Sequence, residues 1–370
     1  NFKLPSLGYC SFYRNTLYLK MNKQSIFIGF SILLILGCNK NTEPIIALEI
    51  NPIIAPDVHD PAQLINLNGQ ILSFASAVEW SKYDANNNEW ILLGDDIYES
   101  NSPSWCDGNS LWAPSILKLN NNQLRLYHSA VINEDNHESR IGFADVSGNI
   151  DNLTFSPSSD FVIESENYNQ PFAIDPSVFI DKDDRHWMVY GSHAKGIYIV
   201  ELNPQSGLLK DSSDNKTFSD NDQRFTHLAN YGGTAFFENN IEAAYVYNHP
   251  NNNYYYLFAN WEGCCNQLNS TYKIRVGRSD SPTGPYLDKN GLDMADGYGT
   301  AFLDSIGDVL GNDRFIGPGH SGIYQHNDGN FYFSHHFYDI EYNGAGSMAV
   351  WKLNFINGWP EIDVTHKVSF

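Results

Sequence analysis

Asp175 to Ser192 reads DPSVFIDKDDRHWMVYGS: a short apolar run, a turn of Asp and Lys, then a second run rich in aromatic and β-branched residues. Two such runs on either side of a cluster of turn-forming residues predict a β-hairpin. The same pattern recurs on both sides of this segment. DPAQLINLNGQILSFAS begins at Asp60, with Asn68-Gly69 at its turn, and APSILKLNNNQLRLYHS begins at Ala113. EAAYVYNHPNNNYYYLFAN begins at Glu242 and HSGIYQHNDGNFYFSHH at His320. A third apolar strand follows each copy: SAVEWS from Ser76, RIGFADV from Arg140, GIYIVEL from Gly196, YKIRVGRS from Tyr272 and SMAVWKL from Ser347.

Successive copies start 53, 62, 67 and 78 residues apart, close to or somewhat longer than the about 40–50 residues of compact propeller blades. A single blade cannot bury both faces of its sheet, whereas five arranged radially can. The sequence therefore predicts an all-β, five-bladed β-propeller over residues 46–370, with residues 46–57 pairing with the last blade to close the ring. Composition agrees: aromatic residues make up 14% of the chain and charged residues only 18%, a balance suited to strands and poor for long exposed helices.

The amino-terminal segment reads as an address. Met21 opens MNKQSIFIGFSILLILGC, in which a basic Lys23 precedes an apolar run too short to cross a bilayer as a helix. Residues 21–37 are expected to be a signal peptide. Ile-Leu-Gly-Cys resembles the bacterial lipobox, which makes Cys38 the lipidated first mature residue, followed by a short linker over 38–45. Residues 1–20 read as translation upstream of the true start. The expected protein is exported and lipid-anchored to a bacterial cell envelope, meets the membrane only through that anchor, and is a monomer. Cys106, Cys264 and Cys265 then remain, without zinc-ligand spacing. The adjacent pair is either a vicinal bridge or two thiols.

Lys and Arg total 22 against 43 for Asp and Glu, a net charge of −21, which excludes nucleic acid as a partner. The first residues of the aligned copies are Asp60, Ala113, Asp175, Glu242 and His320. In a propeller these positions converge on the central channel. Carboxylates there are costly unless paired, hydrogen-bonded or metal-bound, so three in register point to chemistry. Two carboxyls flanking a bond are what glycoside hydrolysis uses, and a third would raise the acid's pKa. Trp80, Trp105, Trp112, Tyr231, Trp261 and Tyr298 lie near these positions. Most are expected in the core; Trp112 is the foremost candidate to stack on a sugar ring, and Trp261 the second.

VHDPAQL at Val58, LWAPSI at Leu111, IDPSVFID at Ile174, IEAAYVY at Ile241, YYYLFANWEGCCNQLNSTYKIRVGRSDSPTGPY from Tyr254 and GPGHSGIY at Gly317 together resemble glycoside hydrolase family 43. Within it they look most like the arabinan endo-1,5-α-L-arabinanases, over roughly residues 46–360. The resemblance implies a propeller that cleaves α-1,5-linked arabinan of plant cell walls, or its oligosaccharides, with inversion. It makes Asp60 the general base, Asp175 the pKa modulator and Glu242 the general acid. It matches His320 to an axial histidine that helps hold calcium or another hard cation. Ser115 stands where many relatives carry Asp, and His193, Ala194 and Lys195 depart from the usual subsite residues.

Other readings stay open at this point. An exo-acting α-L-arabinofuranosidase or β-xylosidase would use the same scaffold, and a glycan-binding lipoprotein would use a propeller without catalysis. His59 and the His335-His336 pair could be read as metal ligands but lack a ligand spacing, and are expected to pack or hydrogen-bond near the axis. Asp181, Asp183 and Asp184 are expected as solvated turn residues. Tyr231-Gly232-Gly233 and Gly297-Tyr298-Gly299 are expected as loops bordering a cleft.

Overall fold

A computed structural model describes residues 52–98, 102–106, 108–119, 123–211, 215–231, 239–304 and 314–370. The expected signal peptide, Cys38 and the linker lie outside these residues, as do Gly232 and Gly233. After β1 (Ile53–Pro56), the first blade comprises β2 (Ile65–Leu67), β3 (Gln70–Ala75), β4 (Glu79–Asp84) and β5 (Glu89–Gly94). The second is built from β6 (Ser110–Lys118), β7 (Leu124–Asn133) and β8 (Glu138–Asn149), with β9 (Asn152–Pro157) and β10 (Ile163–Ser165) pairing along different stretches of β8. The third contains β11 (Ser177–Ile180), β12 (His186–Tyr190), β13 (Ile197–Leu202) and β14 (Thr226–Ala229).

The fourth blade contains β15 (Ile241–Asn248), β16 (Tyr255–Trp261), β17 (Lys273–Ser279) and β18 (Thr300–Leu303). The fifth contains β19 (Phe315–Gln325), β20 (Phe331–Asp339) and β21 (Ala345–Ile356), with β22 (Trp359–Asp363) on β21. Here β1 pairs antiparallel with β21, Ile53 opposite Val350. Strands from the two ends of the described chain are thus joined within one sheet, and the five-bladed propeller closes.

Side chains alternate between the faces of a strand, so each middle strand feeds two interfaces. On β16, Tyr256 and Phe258 join the core shared with the fifth blade, while Tyr255, Leu257 and Ala259 join the core shared with the third. On β3, Leu72 and Phe74 face the second blade, whereas Ile71 and Ala75 face the fifth. This is why the middle strands read as continuous apolar runs.

The innermost strands share a second feature. Asp60, Ala113, Asp175 and His320 all have left-handed backbone, with φ of 48°, 44°, 56° and 59°. In the fourth blade the matching residue is Ala243, φ 49°, so Glu242 stands one place earlier than the sequence alignment puts it. The alignment matched charges; the backbone matches the kink. Asp181 also departs from expectation. It is 4% exposed and accepts from Arg185 Nε and Trp187 Nε1, both at 2.8 Å, so it organises the hairpin from within. Asp183 and Asp184 are exposed, as expected.

Candidate active site

A left-handed residue with a Cβ carries a cost of roughly 1–2 kcal/mol, and its amide points away from the ladder and needs another partner. That partner is a side chain in every blade. Asp60 N–H donates to His336 Nδ1 (3.1 Å), Ala113 N–H to Ser76 Oγ (3.1 Å) and Asp175 N–H to Ser129 Oγ (3.1 Å). Ala243 N–H donates to Asp175 Oδ2 (3.0 Å) and His320 N–H to Asn260 Oδ1 (3.2 Å). Ser76, Ser129, Asn260 and His336 each end one of the repeated segments. The residue that ends one copy therefore tethers the first residue of the next, with Ser192, the remaining end residue, serving Glu242 instead.

This ring brings Asp60, Asp175, Glu242 and His320 into one group. Asp60 Oδ2 accepts from Ser76 Oγ at 2.7 Å and lies 2.9 Å from His59 Nδ1. Its Oδ1 lies 3.2 Å from His320 Nδ1 and 3.3 Å from His336 Nδ1. Burial favours the neutral acid, but the charges of His59 and His320 and the contacts with His320 and His336 outweigh it. The carboxyl is held well below the usual carboxylate range. His320 and His59 are raised in return: burial opposes their charge, and Asp60 overcomes it. His336 is different. Burial, then the charge of His59, pushes it down to about 3, so it is neutral and able to accept the Asp60 amide.

Asp175 is 7% exposed. Burial pushes it up to about 7; His320 opposes, while the charges of Glu242 and Asp60 add to the rise. Glu242 accepts at both oxygens, from Ser192 Oγ to Oε2 (2.7 Å) and from Tyr272 Oη to Oε1 (2.9 Å), and His193 Nε2 lies 3.6 Å from Oε2. Gly319 makes room for this. A Cβ there would lie 2.4 Å from the Tyr272 ring and 2.8 Å from His336 Nε2, so even alanine would displace the residues that orient Glu242 and Asp60.

Trp112 and Trp261 are half-buried, each one residue from a ring member. Trp112 packs on Val131, Phe172 and Ile174. The Trp261 ring lies 5.1 Å from Tyr231 and 5.2 Å from the Arg275 guanidinium, and its Nε1 is buried without a hydrogen-bond partner among the described residues. Trp80 and Trp105 belong to the core between the first two blades, and Tyr298 is exposed. Ser115 accepts the Val178 amide at 3.1 Å and Ser177 the Val246 amide at 3.2 Å, so Ser115 is an inter-blade tether.

The three histidines expected to pack or hydrogen-bond near the axis do so: His59 and His336 contact Asp60, and His335 accepts from Trp351 Nε1 at 2.9 Å. Sequence reasoning missed Ser192 and Tyr272. The available signal was the polar residue that ends each repeated segment, together with Tyr272 at the start of the fourth copy's third strand. Among the described residues, His59, Asp60 and His336 place potential metal-ligand atoms within 4.8 Å of one another; His320 is not in that group. Its Nδ1 faces Asp60. The protein would thus offer a hard cation near His320 one imidazole nitrogen and the carboxylate of Asp60, leaving water to supply most of the oxygen ligands such an ion requires.

The model of glycosyl hydrolases family 43 matches residues 50–360. The chain belongs to this family. Among family 43 relatives, it is 36% identical over 255 residues to the extracellular endo-α-(1→5)-L-arabinanase 1 of Bacillus subtilis (strain 168), covering 68% of this chain and 69% of the relative. The exo-1,5-α-L-arabinanase from a bovine ruminal metagenomic library superposes with a TM-score of 0.71 at 29% identity, over 85% of this chain and 99% of the other. The α-L-arabinanase of Cellvibrio cellulosa complexed with arabinohexaose gives a TM-score of 0.68 at 27% identity, over 83% of this chain and 95% of the other.

Proposed function

We propose that this family 43 enzyme hydrolyses α-1,5-linked L-arabinan by a single displacement with inversion. The observation that carries the assignment is the opposite setting of the two aspartates around Glu242. Asp60, held ionised by imidazoles, is the base that takes a proton from the attacking water. Glu242 is the acid that protonates the leaving oxygen, oriented by Ser192 and Tyr272. Asp175 spaces and tunes the pair, its carboxyl oxygen holding the Ala243 amide next to Glu242. Inversion needs room for water between base and acid, roughly 6.5–9.5 Å between carboxyls. Trp112 and Trp261 supply apolar faces for arabinose rings.

The same reading includes a hydrated hard cation, calcium by preference, near His320 and the ionised Asp60. When bound it would supply electrostatic compensation there. We also infer export with lipid attachment at Cys38, in keeping with the extracellular names of relatives, and a monomeric enzyme.

Linear α-1,5-arabinan incubated with the protein should yield new reducing ends, with early products forming a ladder of oligosaccharides. A single small product from the outset would favour the exo mode of the ruminal relative. Binding without new reducing ends would favour a glycan-binding protein.

A further inference from the structure

A chain of hydrogen bonds runs from Asp60 to the molecular surface. Cys264 and Cys265 are bridged. The Cys265 amide donates to Tyr338 Oη at 2.7 Å, Tyr338 Oη lies 2.9 Å from His59 Nε2, and His59 Nδ1 lies 2.9 Å from Asp60 Oδ2. An amide can only donate, so Tyr338 Oη accepts there and keeps its remaining hydrogen-bonding capacity for His59 Nε2. His59 in turn places its Nδ1 against Asp60 Oδ2.

The inner part of this chain is rigid. Tyr338 is 3% exposed on β20, and the His59 ring stacks on His336 at 4.1 Å. The outer part is a loop in which Glu262, Cys265 and Gln267 all have left-handed φ, 68°, 63° and 49°, a conformation disfavoured for residues with a Cβ. Cys265 is exposed and Cys264 half-buried, within reach of a soluble dithiol. Without the bridge, no covalent link between the two side chains would hold the Cys265 amide against Tyr338.

On the reading that Asp60 is the base, we propose that Tyr338 and His59 are positioning residues for it and that the Cys264–Cys265 bridge anchors their outer end, so that the rate depends reversibly on the oxidation state of this pair. In reduction, a thiolate of an added dithiol attacks one bridge sulfur and expels the other as thiolate. The dithiol's second thiol then resolves the mixed disulfide. Two electrons and two protons reach the cysteines, and the dithiol leaves as a cyclic disulfide. Glutathione disulfide reverses the exchange.

The test compares wild type, Tyr338→Phe and the Cys264→Ser/Cys265→Ser double variant on linear arabinan with and without dithiothreitol, with alkylation and mass spectrometry reporting the bridge. Reduction should lower the wild-type kcat about tenfold, as expected for a slightly misplaced base, with KM and near-UV circular dichroism unchanged, and glutathione disulfide should restore it. The double variant should show the reduced rate under both conditions. Tyr338→Phe should start low and not respond to dithiol. Complete alkylation of Cys264 and Cys265 with unchanged kcat would overturn the proposal, as would a Tyr338→Phe enzyme that keeps the wild-type response. If the double variant does not fold, the reduced wild type carries the test. Asp60→Asn separates the two readings: an active variant removes the base assignment itself, whereas an inactive one beside a dithiol-insensitive wild type removes only the relay.

Discussion

Asp60 and Asp175 occupy the same place in the first and third blades, with the same left-handed backbone and an amide held by the side chain that ends the preceding repeat. Their carboxyls nevertheless go opposite ways. Asp60 meets His59, His320 and His336 and is held well below the usual range, while Asp175, whose amide is held by Ser129, is pushed up to about 7 by burial and by the neighbouring acids, against His320. The propeller fixes where an acid stands. Its neighbours decide whether it is charged, and that division lets one repeated geometry supply a base and a modulator.

The largest effect should come from the charged member. Asp60→Asn should lower kcat on arabinan by roughly 10²–10⁴-fold, the usual contribution of a positioned base, and should do the same on an arabino-oligosaccharide with an activated aryl leaving group. Glu242→Gln should match it on arabinan but lose about tenfold or less on the aryl substrate, whose leaving oxygen needs no proton. Equal losses on both substrates for both variants would erase the distinction between base and acid.

Asp175→Asn tests the other side of the comparison through stability. A carboxyl whose folded pKa is raised binds its proton more tightly when folded, so its contribution is fully present below the unfolded value near 3.8 and is lost as pH rises toward about 7. The variant lacks this loss. Denaturant unfolding should find the difference between variant and wild type moving in the variant's favour by a few kcal/mol between pH 4 and pH 8; a constant difference would mean that Asp175 is ionised throughout. The smallest effect belongs to the tethers between blades. Ser115→Ala leaves the buried Val178 amide unpaired and should cost about 1–3 kcal/mol of stability, with kcat unchanged by direct assay.

Much of this was legible in the sequence, because hairpin turns, apolar alternation and the register of Asp60, Asp175 and His320 are local signals repeated along the chain. The one-residue displacement of Glu242 was not, since a kink at Ala243 leaves no mark in side-chain chemistry. The partners of Asp60 were hidden for another reason. His336 is 276 residues away and meets Asp60 only because the ring closes, so its neutral state follows from a burial that no local pattern records. Asp181 shows the same limit: DKDD reads as a solvated turn, and the buried bonds to Arg185 and Trp187 depend on how the hairpin packs.

Proton NMR of the first turnovers on linear α-1,5-arabinan tests the central claim most directly. A base at Asp60 that activates water opposite the acid at Glu242 should deliver β-configured reducing ends first, with the α form growing in only as mutarotation proceeds. Initial accumulation of α-configured ends would contradict the single displacement and the roles assigned to both residues.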